Sequence, residues 1–208
     1  MEQFEALKRN RILPVLSLSD KKYIKPLGDI FTKVGIAHVE LTLRNGIALE
    51  VLREFSAQFP NISFGAGTVL GIDTAKAAIE AGAKYIVSPG YSDALADFCN
   101  AQGIPYVPTC VTGAEISHAM EKGLYNLKFF PSVSMGGTVA LKLLAGPFPK
   151  VLFVPTGGVF MDNLADYATC RNILACGGSY MAPKAEIEAE NWTLIEDNCK
   201  KCLEMMRI

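Results

Sequence analysis

The feature that most limits the fold of this chain is an alternation. Short apolar runs recur at 12–18 (ILPVLSL), 38–43 (HVELTL), 63–69 (SFGAGTV) and 85–90 (YIVSPG). They continue at 105–110 (PYVPTC), 126–131 (NLKFFP), 152–158 (LFVPTGG) and 173–181 (ILACGGSYM). Between them, 20–34, 46–58, 71–82, 91–102, 112–122, 136–145 and 160–168 have helical spacing, as does 190–206 at the end. Ala48, Leu49, Leu52 and Phe55 show the pattern.

Start and stop signals agree with this reading. Asp20, Asp73, Ser92, Thr112 and Asp162 stand near helix N-termini, where a side-chain oxygen can accept from orphan amides. Gly35, Gly82, Gly103 and Gly123 stand near C-termini, where a left-handed residue is needed. A strand–helix unit repeated at roughly 20–25 residues predicts a parallel sheet with helical crossovers. Eight such units with near-continuous apolar strands predict an α/β fold, a single closed (β/α)8 TIM barrel spanning 1–208. An N-terminal helix at 2–8 would plug its floor. An open doubly wound sheet is the alternative, but no G-x-G-x-x-G follows the first strand.

A chain of 208 residues, half of them hydrophobic, suffices for one sizeable core. Its 20 basic and 21 acidic residues are mixed throughout, so no basic stripe suggests a nucleic-acid partner. No apolar stretch is long enough to span a membrane, and the charged N-terminus lacks a signal-peptide core, so a cytoplasmic protein is expected. Six cysteines are irregularly spaced, and Cys199-Lys-Lys-Cys202 has no second pair or nearby histidines to make a zinc site. His38 and His118, the only histidines, are too few and too scattered for a multi-histidine metal centre. His38 is expected to open a strand and His118 to lie on a helix surface.

Polar residues interrupt the buried runs. Lys128 sits inside Asn126-Leu127-Lys128-Phe129-Phe130-Pro131. Lysine is rarely buried without a partner or a task. One reading makes it a strand-end lysine that reaches solvent or pairs with a carboxylate. The other makes it an amine nucleophile that forms a Schiff base. In 38–43 and the residue after it, Val39, Leu41 and Leu43 share one face, and Glu40, Thr42 and Arg44 share the other. An acid, a hydroxyl and a guanidinium on a lumen face are costly unless used or mutually satisfied. An internal Glu40–Arg44 ion pair is one outcome; a Glu40 that faces Lys128 and shuttles its protons is the other. A carboxylate would raise the lysine pKa, and burial and Arg44 would lower it.

Glycines mark the C-terminal rim. Gly65-Ala66-Gly67-Thr68 and Ser88-Pro89-Gly90 end strands three and four. Thr156-Gly157-Gly158 and Gly177-Gly178-Ser179 end strands seven and eight, whose loops in barrels often bind phosphate through backbone amides. Tight turns alone would also account for each glycine pair.

With these residues assembled, the chain resembles the 2-keto-3-deoxy-6-phosphogluconate (KDPG) / 4-hydroxy-2-oxoglutarate (KHG) aldolase family, class I aldolases on a (β/α)8 barrel. The resemblance runs from about Leu13 to Pro183. Its carriers are Val39-Glu40-Leu41-Thr42-Leu43-Arg44, Gly65-Ala66-Gly67-Thr68-Val69-Leu70, Ser88-Pro89-Gly90 and Lys128-Phe129-Phe130-Pro131. Ala145-Gly146-Pro147-Phe148, Pro155-Thr156-Gly157-Gly158 and Gly177-Gly178-Ser179 complete them. The resemblance implies catalytic roles for Lys128, as imine nucleophile, and Glu40, as proton shuttle. It implies that Arg44 and Thr68 hold the pyruvyl carboxylate and that Pro89 lines the pocket. Thr156, Gly157, Gly158, Gly178 and Ser179 would receive a phosphate. The implied partner is a phosphorylated keto-acid, with no metal and no cofactor beyond the covalent imine, in a homotrimer.

Two stretches depart from the family pattern and bear on substrate range: Ser132-Val133-Ser134-Met135 and Pro108-Thr109-Cys110. Relatives differ over a basic residue at the end of strand one; here Leu16-Ser17-Leu18 brings no arginine from that strand. The competing readings are a KDPgalactonate aldolase, with the same chemistry on a C4 epimer, and a non-catalytic phospho-sugar-binding barrel. A barrel isomerase using Glu40 as base is a third, and it would tolerate Lys128→Arg.

Overall fold

The computed structural model describes residues 4–207. Eight strands are present: β1 Ile12–Leu16, β2 His38–Thr42, β3 Ser63–Gly67, β4 Tyr85–Ser88, β5 Tyr106–Pro108, β6 Asn126–Phe129, β7 Leu152–Pro155 and β8 Cys176–Gly178. All pairings among them are parallel. Six form one curled sheet in the order β5-β4-β3-β2-β1-β8, and β6 and β7 form a separate pair. The predicted closed barrel of eight strands is thus seen in part, as two sheets joined by isolated bridges at Thr109–Lys128 and Phe153–Ile173. Sequence chemistry explains one break. Strand β5 is three residues long, follows Pro105 and ends on Pro108, neither of which has an N–H to donate.

The other break corrects the predicted strand at 173–181. Ile173 pairs with Phe153 of β7, whereas Cys176, Gly177 and Gly178 pair with Ile12, Leu13 and Pro14 of β1. One apolar run thus serves two neighbours, and only its middle forms β8.

The helices are α1 Glu5–Asn10, α2 Ile24–Val34, α3 Ala48–Gln58, α4 Ile72–Glu80, α5 Asp93–Gln102, α6 Gly113–Glu121, α7 Gly137–Leu144, α8 Leu164–Ala168, α9 Lys184–Glu188 and α10 Trp192–Met206. Short 3-10 turns, Lys21–Tyr23 and Val133–Met135, precede α2 and α7. Asp20, Ser92 and Thr112 cap as predicted, each accepting a backbone N–H. Asp73 instead lies in the first turn of α4, where its charge suits the helix dipole, and Asn163 rather than Asp162 precedes α8. Gly35, Gly82, Gly103 and Gly123 all take positive φ at helix ends. The unpredicted α9 precedes the predicted final helix, which forms as α10. Of the predicted N-terminal helix, residues 2 and 3 lie outside the described residues, and α1 runs on to Asn10.

Alternation along the strands separates two cores. Val39, Leu41, Phe64, Ala66, Leu127, Phe129 and Phe153 pack outward against the helices. Leu13, Tyr85, Val87, Val107 and Val154 face inward, joined by Phe4 and Leu7 from the N-terminal segment. These two side chains fill the floor of the sheet, as the plug reading requires.

Candidate active site

Glu40 and Lys128 break the inward apolar layer. Both are buried, at 1% and 8% exposure. Lys128 Nζ donates to Glu40 Oε1 at 2.9 Å and Oε2 at 3.2 Å. The faces deduced from alternation are those observed, since Val39, Leu41, Leu127 and Phe129 belong to the helix-side core. A buried ion pair roughly offsets its own desolvation, so fold stability alone gives little reason to keep one. The pair joins a nucleophile to a proton acceptor at hydrogen-bond distance, the geometry that amine chemistry needs.

The β3 glycines have a more specific task than open backbone. A Cβ at Gly67 would stand 2.2 Å from Glu40 Oε1, and one at Gly65 would stand 2.1 Å from the Tyr85 ring. Gly67 seats the carboxylate and Gly65 seats the tyrosine. Beyond them Thr68 adopts φ +64°, an uncommon conformation for a β-branched residue, and its Oγ1 accepts from Arg44 Nε at 3.0 Å. Arg44 therefore engages Thr68 while Glu40 engages Lys128, and the internal Glu40–Arg44 pair is not formed. Arg44 is exposed and Thr68 half-buried, so guanidinium and hydroxyl stand at the open end of the site.

The loops after β6, β7 and β8 meet at the same end. Ser132 and Val133 donate backbone N–H groups to the carbonyls of Thr156 and Gly157, at 2.8 and 3.1 Å. Gly157 and Gly158 have φ +87° and +76°; side chains there would strike the Phe130 ring and Val133. Both glycines thus serve a tight turn and close packing. A Cβ at Gly177 would lie 2.5 Å from Thr156 Oγ1, which couples the β7 and β8 ends. Pro89 and Ser179 are exposed and Gly178 half-buried on the rim.

The departing stretches are structured. Ser132 is fully buried, with Oγ 3.0 Å from the Tyr167 hydroxyl. Thr109 stands beside Lys128 across the β5–β6 bridge and donates to the Ser88 carbonyl at 2.8 Å. Cys110 is buried, and burial pushes its thiol pKa up to about 12. The remaining cysteines are buried and free. Sequence reasoning missed two members of the site. Phe130 holds its ring 5.9 Å from Lys128 Nζ, and Tyr85 lies fully buried in the layer below the pair. Alternation with Val87 carried the signal for Tyr85. His38 is buried at the start of β2, and His118 is exposed on α6 beside Asp93. Among the described residues no group of three or more His, Cys, Asp or Glu side chains is placed to hold a metal ion, and no helix is long and apolar enough to cross a membrane.

The family model for "KDPG and KHG aldolase" matches residues 4–198. The 2-dehydro-3-deoxy-phosphogluconate aldolase of Treponema pallidum (strain Nichols) is 36% identical over 205 residues, covering 99% of this chain and 98% of that one. The protein of the same name from Pseudomonas aeruginosa is 39% identical over 194 residues, 93% of this chain and 88% of the other. A crystal structure of the KDPG aldolase of Legionella pneumophila, with pyruvate captured at low pH as a covalent carbinolamine intermediate, superposes with a TM-score of 0.91. It is 30% identical and the match covers 96% of this chain and 97% of that one. With a lysine and a carboxylate paired in the interior of a matching fold, the chain belongs to the KDPG and KHG aldolase family and is a lyase.

Proposed function

We propose that this chain is a class I aldolase that cleaves 2-keto-3-deoxy-6-phosphogluconate to pyruvate and glyceraldehyde 3-phosphate through an imine on Lys128. 4-Hydroxy-2-oxoglutarate, giving pyruvate and glyoxylate, is the second substrate. The observation that carries this reading is the buried Lys128 amine 2.9 Å from Glu40 Oε1. Lys128 passes a proton to Glu40 and attacks the C2 keto carbon. Glu40 returns that proton to the carbinolamine hydroxyl, which leaves as water, and the resulting protonated imine draws electrons from C3. The C3–C4 bond breaks as Glu40, directly or through water, takes the C4 hydroxyl proton. The aldehyde leaves, the enamine is protonated at C3, and water releases pyruvate.

Arg44 and Thr68 receive the pyruvyl carboxylate, a task suited to a guanidinium fork. Thr156, Gly157, Gly158, Gly178 and Ser179 receive the phosphate, and Pro89 lines the entrance. The covalent imine supplies the electron sink, so this route uses no metal. We read the architecture as a (β/α)8 barrel whose six- and two-stranded sheets close through the Thr109–Lys128 and Phe153–Ile173 bridges. A homotrimer is supported by an apolar surface. Val139 and Leu143, one turn apart on α7, are exposed, as are Val133 and Phe160 in the adjoining β6 and β7 loops.

Borohydride reduction with pyruvate, followed by peptide mass mapping, tests the mechanism. The expected result is a single pyruvyl adduct on Lys128; folded protein without an adduct would leave a phosphate-binding barrel as the better reading. Assay of both C4 epimers then separates the gluconate from the galactonate substrate.

A further inference from the structure

Two prolines leave the ends of β4 and β5 short of backbone donors. Ser88 pairs in register with Pro108, and Pro89 follows Ser88. Neither proline has an N–H to give the ladder. The Thr109 amide still donates to the Ser88 carbonyl, at 3.2 Å. Beyond it, three side-chain hydroxyls join the two strands. Thr109 Oγ1 donates to the same Ser88 carbonyl at 2.8 Å. Ser88 Oγ donates to the Gly90 carbonyl. That spends its one proton, so Tyr106 is the donor where the Ser88 and Tyr106 hydroxyls meet at 2.6 Å. Tyr106 Oη also lies 3.3 Å from the Gly90 carbonyl.

Ser88, Tyr106 and Thr109 are all buried. Burial pushes the Tyr106 pKa up to about 12, so its hydroxyl keeps its proton at neutral pH. The hydroxyls act from both sides of the sheet. Tyr106 belongs to the helix-side core, as does its register partner Ile86. Thr109 is two residues beyond the inward Val107, so it stands on the lumen side, where its bridge partner is Lys128. Pro89, two residues beyond the inward Val87, stands on that side as well. The carbonyls on either side of Pro89, those of Ser88 and Gly90, are therefore held by Thr109 and by the Tyr106–Ser88 relay. Strand β5 lies between β4 and β6, and the Cys110 amide donates to the Lys128 carbonyl at 3.0 Å. A run of hydrogen bonds thus connects the Pro89 turn, through Thr109 and Cys110, to the backbone of the nucleophile.

We propose that Tyr106 and Thr109 are positioning residues that clamp Pro89 at a fixed distance from Lys128 and so set the width of the pocket between β4 and β6. The effect on substrate rests on the aldolase reading; the clamp does not. It also gives a task to Pro108-Thr109-Cys110, one of the two stretches that depart from the family pattern. Pro89 has neither charge nor donor, so it can meet a substrate only by packing. Packing of that kind is felt alike in the ground state and the transition state, and its loss appears in KM rather than kcat.

Three substitutions test this. Tyr106→Phe removes one oxygen and keeps the ring. Thr109→Val removes the hydroxyl and keeps the shape, and Thr109→Ser keeps the hydroxyl. In Y106F and T109V, KM for 2-keto-3-deoxy-6-phosphogluconate should rise about 5-fold, the worth of one hydrogen bond, with kcat within a factor of about two. T109S should stay close to wild type. An unchanged KM in Y106F and T109V, or equal impairment of T109S and T109V, overturns the proposal. Amide hydrogen exchange at Gly90 and Tyr91 should also quicken about 5-fold in Y106F and T109V and not in T109S. That readout needs no activity. If wild-type protein fails to trap pyruvate, the aldolase reading falls, and the exchange rates still decide the clamp: unchanged rates overturn it.

Discussion

Lys128 Nζ lies 2.9 Å from Glu40 Oε1, although the two residues are 88 positions apart and come from the two different sheets of the fold. Glu40 is 1% exposed and Lys128 8%, so both side chains are almost wholly withdrawn from solvent. Each is the condition for the other's burial. Replacing one partner should therefore affect chemistry and stability together, and replacing both should separate them. In Glu40→Gln, kcat should fall by about 10²–10⁴ through loss of the proton acceptor. Leaving the lysine charge unpaired in the interior should cost about 3–5 kcal/mol of unfolding free energy. Adding Lys128→Met to that variant should abolish activity while restoring most of the stability, read by urea denaturation. A double variant no more stable than Glu40→Gln would mean that the pair is not energetically coupled.

Two glycines four residues apart should respond very differently to one added methyl group. Gly67→Ala places a Cβ 2.2 Å from Glu40 Oε1, so the carboxylate must leave its seat. Gly71→Ala meets nothing within 4 Å at φ −166°, an extended backbone that alanine adopts freely. Steady-state assays should show kcat reduced by about 10²-fold or more in Gly67→Ala, because small displacements of a catalytic group are expensive. Gly71→Ala should lie within a factor of about two of wild type, its cost as a surface change being small. Equal activities would remove Gly67 from the site.

How far these relationships were legible beforehand depends on their range. Period-two alternation along 38–43 and 126–131 places Glu40 and Lys128 on inward faces, because a single polar residue flanked by apolar ones in a buried strand has only one other side to occupy. Caps at Ser92 and Thr112 and glycine stops at Gly35 and Gly103 are local chemistry and were readable. What escaped depends on neighbouring strands. Nothing in 173–181 shows that Ile173 pairs with β7 while Cys176 pairs with β1. Gly65 and Gly67 are read as open backbone until the Tyr85 ring and the Glu40 carboxylate are seen to fill the space above them. Thr68 in the left-handed region contradicts its intrinsic preference, and such conflicts between local rule and fold concentrate at functional sites.

The thiols should be silent in the folded protein. All six cysteines are buried. Burial pushes Cys99 up to about 11 and Cys110, Cys199 and Cys202 up to about 12. At pH 8 the nucleophilic thiolate is therefore scarce as well as inaccessible. A disulfide-exchange reagent should consume less than about one thiol equivalent from native protein over minutes, and six after denaturation in guanidinium. One thiol reacting stoichiometrically before unfolding would place a segment around it in local exchange with solvent.

Acid should weaken the start of α6 before it weakens the core. Burial acts to raise the Glu115 pKa. It is outweighed by hydrogen bonds to the carboxylate from the Val111 and Thr112 amides, at 2.9 and 2.8 Å, and from the Thr112 hydroxyl, at 2.9 Å. The folded-state pKa is thus depressed. The stability this group contributes is present above its unfolded pKa of about 4.3 and is lost as pH falls through the lower folded value. At neutral pH, Glu115→Gln should cost about 0.5–1 kcal/mol, the lower part of the range for a helix cap because the group is half-exposed. The difference from wild type should shrink steadily below pH 4.3 or so, measured by urea denaturation at stepped pH. The segment matters beyond its own stability, because the Cys110 amide, next to Val111, donates to the Lys128 carbonyl at 3.0 Å. Amide hydrogen exchange at Cys110 should therefore quicken in Glu115→Gln at neutral pH, and an unchanged rate there would confine the capping box to the helix.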